Sequence, residues 1–229
     1  MPLIFLFFTT FSSLIFLSNA SEEMKVSLGK NWNFAPSVET ISSDDIKFFN
    51  SSHTKELLNS SAGSWISRGS GQESLISLRS PVLTGSGACG SFLILEDSLP
   101  IRPAGFCNVN NLFEVSSNLA SRIEVLKGPS SARFGGNALH GAINFKTLNI
   151  DEKNYLKTEV NNDESFKSSF QYQEDSSWTL GLSLNKDKGF REATGFDQQK
   201  LAFKAFSEVD DWEAQTFINL TNLNQETAG

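Results

Sequence analysis

The chain has 229 residues and a net charge of −7, from 26 Asp and Glu against 19 Lys and Arg. This acidic balance argues against a nucleic-acid partner, because phosphate backbones are bound by basic surfaces. Beyond the N-terminus, the sequence has no apolar stretch of the roughly 20 residues that a transmembrane helix needs. Any membrane-spanning part is therefore expected to consist of β-strands.

The first 20 residues have the pattern of a secretory signal peptide. An apolar run from Leu3 to Leu17 ends in small residues just before a charged stretch, and it is too short and too rich in Ser and Thr for a membrane-spanning helix. We expect cleavage after Ala20, with an uncleaved anchor as the alternative. Residues 21–37 then form an N-terminal segment of the exported chain.

Residues 38–150 mix short apolar runs with Gly- and Ser-rich breaks. The pattern predicts two short helices, at Ser43–Asn50 and Thr54–Ser60, followed by about four short strands. Ser42 or Ser43 can cap the first helix by accepting from its free N–H groups. The strands are expected in ESLISLRS, FLILEDSLP, RIEVLKGP and GAINFKT. This region is therefore predicted to be an α+β unit.

From about residue 151 to residue 229, apolar and polar residues alternate, which places every second side chain on the same face of a strand. In WTLGLSLN, Trp178, Leu180, Leu182 and Leu184 oppose Thr179, Gly181, Ser183 and Asn185. We expect about five such strands, each near the ~10 residues that a tilted strand needs to cross a bilayer. Tight turns in EDSS and EVDD and a long loop in NKDKGFREATGFDQQ are typical of an outer-membrane barrel. A secreted β-sandwich alternates in the same way and is the alternative.

The run SRIEVLKGPSSARFGGNALHGAINFKT, Ser121–Thr147, is the most specific pattern in the chain. It predicts a strand over Arg122–Gly128, a break at Gly128-Pro129, and one helical turn capped by Ser130 or Ser131. Gly135-Gly136 ends that turn, and a second strand follows from Ala142.

This run closely resembles the plug-domain signature of the TonB-dependent outer-membrane receptors. Upstream segments, among them VETISSDDIK, SRGSGQESLISLRS and FLILEDSLP, follow the order of that family, so the resemblance covers about Val38–Thr147. LRS, LEDSLP and His140 depart from the usual pattern and leave local turn geometry open. The resemblance implies an α+β plug domain, residues 38–150, followed by antiparallel transmembrane β-strands of an incomplete β-barrel, residues 151–229.

The resemblance also implies two contacts that hold the plug. Arg79 and Lys127 match basic positions that in this family pair with glutamates of the inner barrel wall, on strands that this chain lacks. The alternative is that both are solvated strand charges. Near the mature N-terminus, Met24, Lys25, Val26, Ser27 and Leu28 stand where the family carries its TonB box, which can add a strand to a partner sheet. The alternative there is a disordered N-terminus without a partner.

Cys89 and Cys107 are the only two cysteines in the sequence, and export into an oxidising compartment favours their pairing. The resemblance places them in loops that rise to the plug apex, where Arg68, Ser86, Gly87, Phe106 and Asn108 are expected to face the ligand. A Cys89–Cys107 disulfide would either order these loops for the ligand or only stabilise the plug. Free thiols or a copper-type site remain the alternative.

Other motifs carry no catalytic prediction. GSGACG has the spacing of a dinucleotide-binding loop, but a strand follows it where a helix is required. His53 and His140 have no metal-ligand spacing around them, and no serine has a nucleophile elbow. We predict neither an enzyme, nor a cofactor, nor a metal site.

The resemblance implies TonB-dependent import of a scarce ligand, such as a siderophore or cobalamin, across the outer membrane of a Gram-negative cell. The implied partners are TonB with its inner-membrane motor, the outer membrane, and a small molecule such as a metal chelate, with no nucleic acid. Two alternatives are a secreted β-rich binding or adhesion protein and, with less support, a secreted hydrolase.

Overall fold

A computed structural model of the chain describes residues 37–69, 71–80, 92–102, 111–148, 153–162, 164–174, 177–209 and 212–226. The predicted signal peptide and the TonB-box candidate Met24–Leu28 lie outside the described residues. So do four of the five predicted ligand-facing residues and both cysteines, namely Ser86, Gly87, Cys89, Phe106, Cys107 and Asn108.

The first part of the chain forms an α+β unit, which we call the plug unit (residues 37–148). Its strands are β1 (Ser37–Ser42), β2 (Ser64–Arg68), β3 (Ser74–Leu78), β4 (Phe92–Glu96), β5 (Leu99–Pro100), β6 (Ala120–Lys127) and β7 (Gly141–Thr147). A five-stranded sheet has the order β1-β6-β7-β4-β5, in which only β4 and β7 are parallel. Strands β2 and β3 form a separate antiparallel pair.

Three short helices accompany these strands: α1 (Ser43–Phe49), α2 (Thr54–Leu58) and α3 (Ser131–Phe134). Ser42 caps α1 in a capping box with Asp45, and Asn50 ends the helix in the left-handed conformation. Gly135 ends α3 with a φ of 93°, a backbone that favours glycine. Two 3-10 turns, Asn111–Phe113 and Ser117–Leu119, precede β6.

The apolar core lies on both faces of the five-stranded sheet. Ile123, Ile143 and Phe145 face α1, α2 and the β2–β3 pair, and each of the three is fully buried. Leu93 and Leu126 face the opposite side, where α3 packs. Because both faces are covered, β4 is buried along its whole length, as expected for a strand paired in parallel.

The second part of the chain forms one antiparallel sheet, which we call the wall sheet. Its strands are β8 (Tyr155–Val160), β9 (Phe166–Glu174), β10 (Trp178–Asp187), β11 (Phe196–Val209) and β12 (Trp212–Gln225), paired in chain order. Strands β8 and β12 are its two edges, so the described sheet is not closed. The predicted fold class, a plug-like α+β unit followed by antiparallel strands of an incomplete barrel, is confirmed. No helix in the described residues is long and apolar enough to cross a membrane.

Several element boundaries differ from the sequence-based expectations. The alternation did not indicate β1, β2 or β5. The long loop predicted over Asn185–Gln199 is shorter, because β10 continues to Asp187 and β11 begins at Phe196. Residues 196–199 are largely polar, and they form strand because they pair with residues 222–225 of β12.

Candidate functional site

The polar face of the wall sheet contacts the plug unit. On β10, Thr179, Ser183 and Asn185 are buried against the plug unit, with side chains at most 4% exposed. On the opposite face, Leu184 is 43% exposed, and Leu220 on β12 is 60% exposed. A sheet folded for water would bury the leucines and expose the polar residues. This sheet does the reverse.

The apolar residues of the outward face stop at one level near one end of the strands, and aromatic residues lie at the other end. Leu184, the last apolar outward residue of β10, is level with the exposed Gln199 and Asn222 on the two following strands. At the opposite end, near the tight turn between β9 and β10, the Trp178 ring lies between those of Tyr172 and Phe203 in tilted contacts, with centroids 5.5 and 6.3 Å away. An apolar band bounded by aromatic residues is typical of a transmembrane barrel wall.

The inner face of the wall binds main-chain oxygens at the end of helix α1. Lys157 Nζ donates to the carbonyl oxygen of Lys47 at 2.7 Å, and Lys167 Nζ donates to that of Asn50 at 2.9 Å. The last carbonyls of a helix have no partner within the helix and lie at its negative end. The two wall lysines therefore stabilise the C-terminal end of α1, because they donate hydrogen bonds to its carbonyls and place positive charge at its negative end.

A second set of wall donors binds the segment between the two 3-10 turns. Gln198 Nε2 donates to the carbonyl of Phe113 at 3.3 Å, and Thr221 Oγ1 donates to that of Glu114 at 3.1 Å. Lys200 Nζ donates to the carbonyl of Val115, and the Lys200 side chain is buried between the two layers. The wall therefore binds this segment through the main-chain carbonyl groups of the segment.

A buried ion pair joins the plug unit to the wall. Lys204 Nζ lies 3.0 Å from Asp97 Oδ1, and the two side chains are 9% and 7% exposed. Lys204 also donates to the carbonyl of Thr147 at 3.2 Å. Removing one partner of such a pair leaves an uncompensated buried charge, which costs about 3–5 kcal/mol.

A small apolar contact completes this interface. Leu119 and Leu148 of the plug unit pack with Ala202 of β11. They lie over Gly181 of β10, where an added Cβ would come within 2.7 Å of Leu148 Cδ2. The glycine thus provides the space into which the end of the plug unit fits.

The two predicted lock residues, Arg79 and Lys127, both lie beside the turn at Ser61–Gly63. The Lys127 side chain is 4% exposed, and its Nζ forms an ion pair with Glu39 of β1, which also accepts from Ser61 Oγ at 2.9 Å. Arg79 is exposed, its side chain lies against Gly63, and it forms no ion pair with any described residue. The predicted pairing of Arg79 and Lys127 with glutamates of the barrel wall stays a prediction, since it concerns strands beyond β12.

Hydrogen bonding to Lys127 and Ser61 lowers the pKa of the Glu39 carboxyl. Glu39 is therefore an ionised partner for Lys127 at neutral pH. Its strand, β1, directly follows the N-terminal segment of the chain.

Arg68 is the only predicted ligand-facing residue within the described part of the chain, and it begins a loop that touches the wall. Its guanidinium lies 5.8 Å from the ring centre of Phe196 on β11. Gln225 of β12 accepts from the Gln72 main-chain N–H at 2.9 Å and donates to Glu73 at 3.1 Å. The wall thus holds the Arg68 loop at the end opposite the tight turns.

Two buried ionisable groups lie near these contacts. Burial lowers the pKa of His53 to about 4, and its Nδ1 accepts from the Lys55 main-chain N–H at 3.0 Å as the N-cap of α2. Burial raises the pKa of Glu96, next to Asp97. The described residues contain no group of three or more His, Cys, Asp or Glu side chains that could hold a metal ion.

Two clefts lie along the two sheet edges. One of about 690 Å³ lies between the β4–β5 turn region and β12, and one of about 510 Å³ lies between α1 and β8. Both are open on the side where a neighbouring strand would continue the wall. They are therefore gaps at the sheet edges and not enclosed ligand pockets.

The sequence did not indicate the contacts made by Lys157, Lys167, Lys200 and Lys204. A signal was present, because Lys200 and Lys204 lie four residues apart and so share the polar face of β11. A lysine on the polar face of a barrel strand points towards the interior. Its partners were not visible, since most of them are main-chain carbonyls.

Comparison with known proteins agrees with this geometry. The profile of the TonB-dependent Receptor Plug Domain matches residues 31–142. The ferric yersiniabactin uptake receptor of Yersinia pestis superposes with a TM-score of 0.63 at 18% identity, over 83% of this chain and 32% of that chain. The unliganded ferric citrate transporter gives 0.64 at 17% identity, over 84% and 32%.

The Serratia marcescens hemophore receptor, in complex with its hemophore and heme, gives a TM-score of 0.59 at 15% identity, over 82% of this chain and 32% of that chain. At these identities the likeness concerns the fold. The chain spans about a third of the length of these structures. Residues 31–142 match the plug domain of the TonB-dependent receptors, and barrel-type strands follow them, so the chain carries the plug domain of this family.

Proposed function

We propose that this chain forms the plug and the first five wall strands of an importer in the outer membrane of a Gram-negative cell. The importer takes up a scarce small molecule under the control of TonB and its inner-membrane motor. The names of the similar structures, which concern ferric yersiniabactin, ferric citrate and heme, favour a metal chelate as the ligand. The protein acts by binding and passage, without catalysis.

The observation that carries this proposal is the inverted wall sheet. Its outward leucines meet an apolar medium, and its inward lysines and amides meet the plug. A secreted β-rich binding protein, the main alternative, would expose this apolar face to water, which favours aggregation. No described contact favours that alternative.

The unpaired edges of β8 and β12 support completion of the barrel by further strands. Open sheet edges are not tolerated in lipid, and a barrel that holds a plug of this size needs about 22 strands. We expect the 229 residues alone to aggregate or to be degraded in the cell. A heat-modifiable, detergent-stable barrel recovered from outer membranes with this chain alone would contradict that.

Coupling to TonB is assigned to Met24–Leu28, which can add a strand to the edge of a partner sheet. In the full-length receptor, a Val26→Pro variant removes one main-chain donor from that strand and should abolish uptake while ligand binding is kept. Val26→Thr is the matched control, because it keeps the donor and strand propensity. Normal uptake by Val26→Pro would locate the box elsewhere.

The apical loops are proposed to bind the ligand, with Arg68 as the described member. A Cys89–Cys107 disulfide would fix two of these loops, and mass mapping of non-reduced peptides from the exported protein tests the bridge. If the Cys89→Ser, Cys107→Ser double variant binds ligand as tightly as the parent, the bridge only stabilises the plug.

The ligand class is tested by growth of a receptor-deletion strain on limiting ferric chelates, heme and cobalamin, with and without the restored gene. Restored growth on one class assigns it. Unchanged growth on every class, together with absence of the protein from purified outer membranes, would overturn the proposed function.

A further inference from the structure

The turn between β4 and β5 has an unusual backbone for its residues. Asp97 has a φ of 48° and Ser98 a φ of 71°, both in the left-handed region that favours glycine. Two-residue hairpin turns with two positive φ values usually contain Asn-Gly or Asp-Gly. A non-glycine residue stays in such a conformation only where its surroundings impose it.

Strand β7 imposes this conformation from one side. The Ser98 main-chain N–H donates to Asn144 Oδ1 at 2.9 Å, and Lys146 Nζ donates to Ser98 Oγ at 2.7 Å. The Asp97 main-chain N–H donates to the carbonyl of Phe145 at 2.9 Å. The turn is thereby fixed to the plug sheet.

The same turn directs the Asp97 carboxylate towards the wall. One carboxylate oxygen accepts from the hydroxyl of Thr147, and the other accepts from Lys204 Nζ at 3.0 Å. Each carboxylate oxygen therefore has a partner, and the strained turn sets the direction of the group.

The neighbouring Lys200 shows what is specific to this pair. It lies on the same face of β11, but its ammonium group is bound by the neutral carbonyl of Val115. Lys204 is the described wall lysine that has a buried carboxylate of the plug as partner. Loss of Lys204 removes the ion-pair partner of the buried Asp97 carboxylate, whereas loss of Lys200 removes the donor to a main-chain carbonyl and a positive charge near Glu96, with which it forms no ion pair among the described residues.

We propose that the Asp97–Lys204 pair seats the resting plug against the barrel wall and so keeps the passage closed to solutes. Asp97 and Lys204 act as positioning residues for the plug. This inference rests on the proposed function, because it assumes that the wall closes around the plug. It assigns the seating contact to the β4–β5 turn, away from Arg79 and Lys127.

The test measures leak through the full-length receptor, purified and reconstituted in planar bilayers without ligand or TonB. Lys204→Met should raise the frequency of conducting openings about a hundredfold, since the buried carboxylate loses its partner. Lys186→Met, which replaces an exposed lysine of the neighbouring strand β10, is the matched control and should conduct like the parent.

Two further variants separate seating from general packing. The double variant Asp97→Asn, Lys204→Met leaves no charge unpaired and should leak less than Lys204→Met alone. The exchanged pair Asp97→Lys, Lys204→Asp restores opposite charges and should lower the leak towards that of the parent. If the two side chains only filled space, restoring opposite charges would not lower the leak.

The proposal is overturned if Lys204→Met stays as tight as the parent, or if the exchanged pair leaks as much as Lys204→Met. If Lys204→Met yields no heat-modifiable barrel, the exchanged pair decides alone: a tight receptor supports the proposal and a leaky one contradicts it. The leak requires neither ligand nor TonB, so the two proposals can fail separately. If the receptor does not import but its leak depends on the charges of the pair, the proposed function is contradicted and the seating contact is not.

Discussion

The plug sheet and the wall sheet use the same alternation of side chains with opposite results. In the plug sheet, apolar residues such as Ile143 and Phe145 are fully buried. In the wall sheet, Leu182 and Leu184 of β10 are exposed, and Thr179 and Ser183 are buried. The difference teaches that burial alone does not identify a core. What matters is which medium each face meets.

The largest effect is expected from a cavity in the plug core. Phe145→Ala should lower the free energy of unfolding by about 3–5 kcal/mol, because it removes a fully buried ring. Urea unfolding of the full-length receptor in detergent micelles measures this. Phe190→Ala, at a residue 72% exposed, is the control and should change little. Equal effects of the two variants would show that the plug sheet does not carry the core.

The wall sheet is tested by a charge on its outward face. Leu182→Arg should destabilise the receptor in lipid vesicles by about 2–4 kcal/mol if this face meets the bilayer. Phe48→Arg, at an exposed residue of α1 in the plug unit, is the control and should have little effect. If Leu182→Arg is equally mild, the outward face meets water and the comparison between the sheets fails.

A pH effect is expected in the plug unit. The pKa of His53 falls from 6.5 to about 4 on folding, so its contribution is present above pH 6.5 and is lost as the pH falls towards 4. The corresponding loss of stability is about 3 kcal/mol. His53→Asn keeps an N-cap acceptor and removes this titration.

The measurement is the difference in unfolding free energy between the parent and His53→Asn across this range. Glu96 acts in the opposite direction, because its raised pKa stabilises at low pH and this contribution is lost as the pH rises through the folded-state pKa. The comparison of parent and variant removes the Glu96 effect. A constant difference between pH 6.5 and 4 would contradict the burial of a neutral His53.

The smallest effect concerns the contact between the two regions. Gly181→Ala places a Cβ against Leu148 and should weaken the interface by about 1–3 kcal/mol. Hydrogen exchange at the end of β7 should rise in this variant. Gly136→Ala, where an added Cβ has no neighbour within 4 Å, is the control. Unchanged exchange in Gly181→Ala would show that the plug end is not held there.

The sequence predicted the elements whose signals are local. The capping residues before α1 lie next to the helix that they start, and the alternation in WTLGLSLN reflects one strand. It missed β1, because that edge strand is defined by pairing with β6, more than 80 residues away. It missed the first residues of β11 because they are largely polar and become strand only by pairing with β10 and β12. Pairing between distant segments leaves no periodic signal in either one.

The contacts of the site that were predicted least well are those in which a side chain binds a main-chain group. Lys127 was predicted to pair with a glutamate of the barrel wall, which stays a prediction, and its side-chain partner in the plug unit, Glu39, was not predicted. The inward lysines of the wall bind carbonyl groups, which every residue has. No residue type in the plug could therefore have indicated these contacts.

Recognition through carbonyl groups has a consequence for how such a protein diversifies. Phe113, Glu114 and Val115 each offer the wall a main-chain oxygen, so their side chains can change while the wall keeps its hold, provided that the path of the chain is preserved. A plug taken from a relative of different sequence should seat on this wall if it follows the same path. The wall then holds this segment through its main-chain oxygens, and sequence changes in the segment need no matching change in β11 or β12.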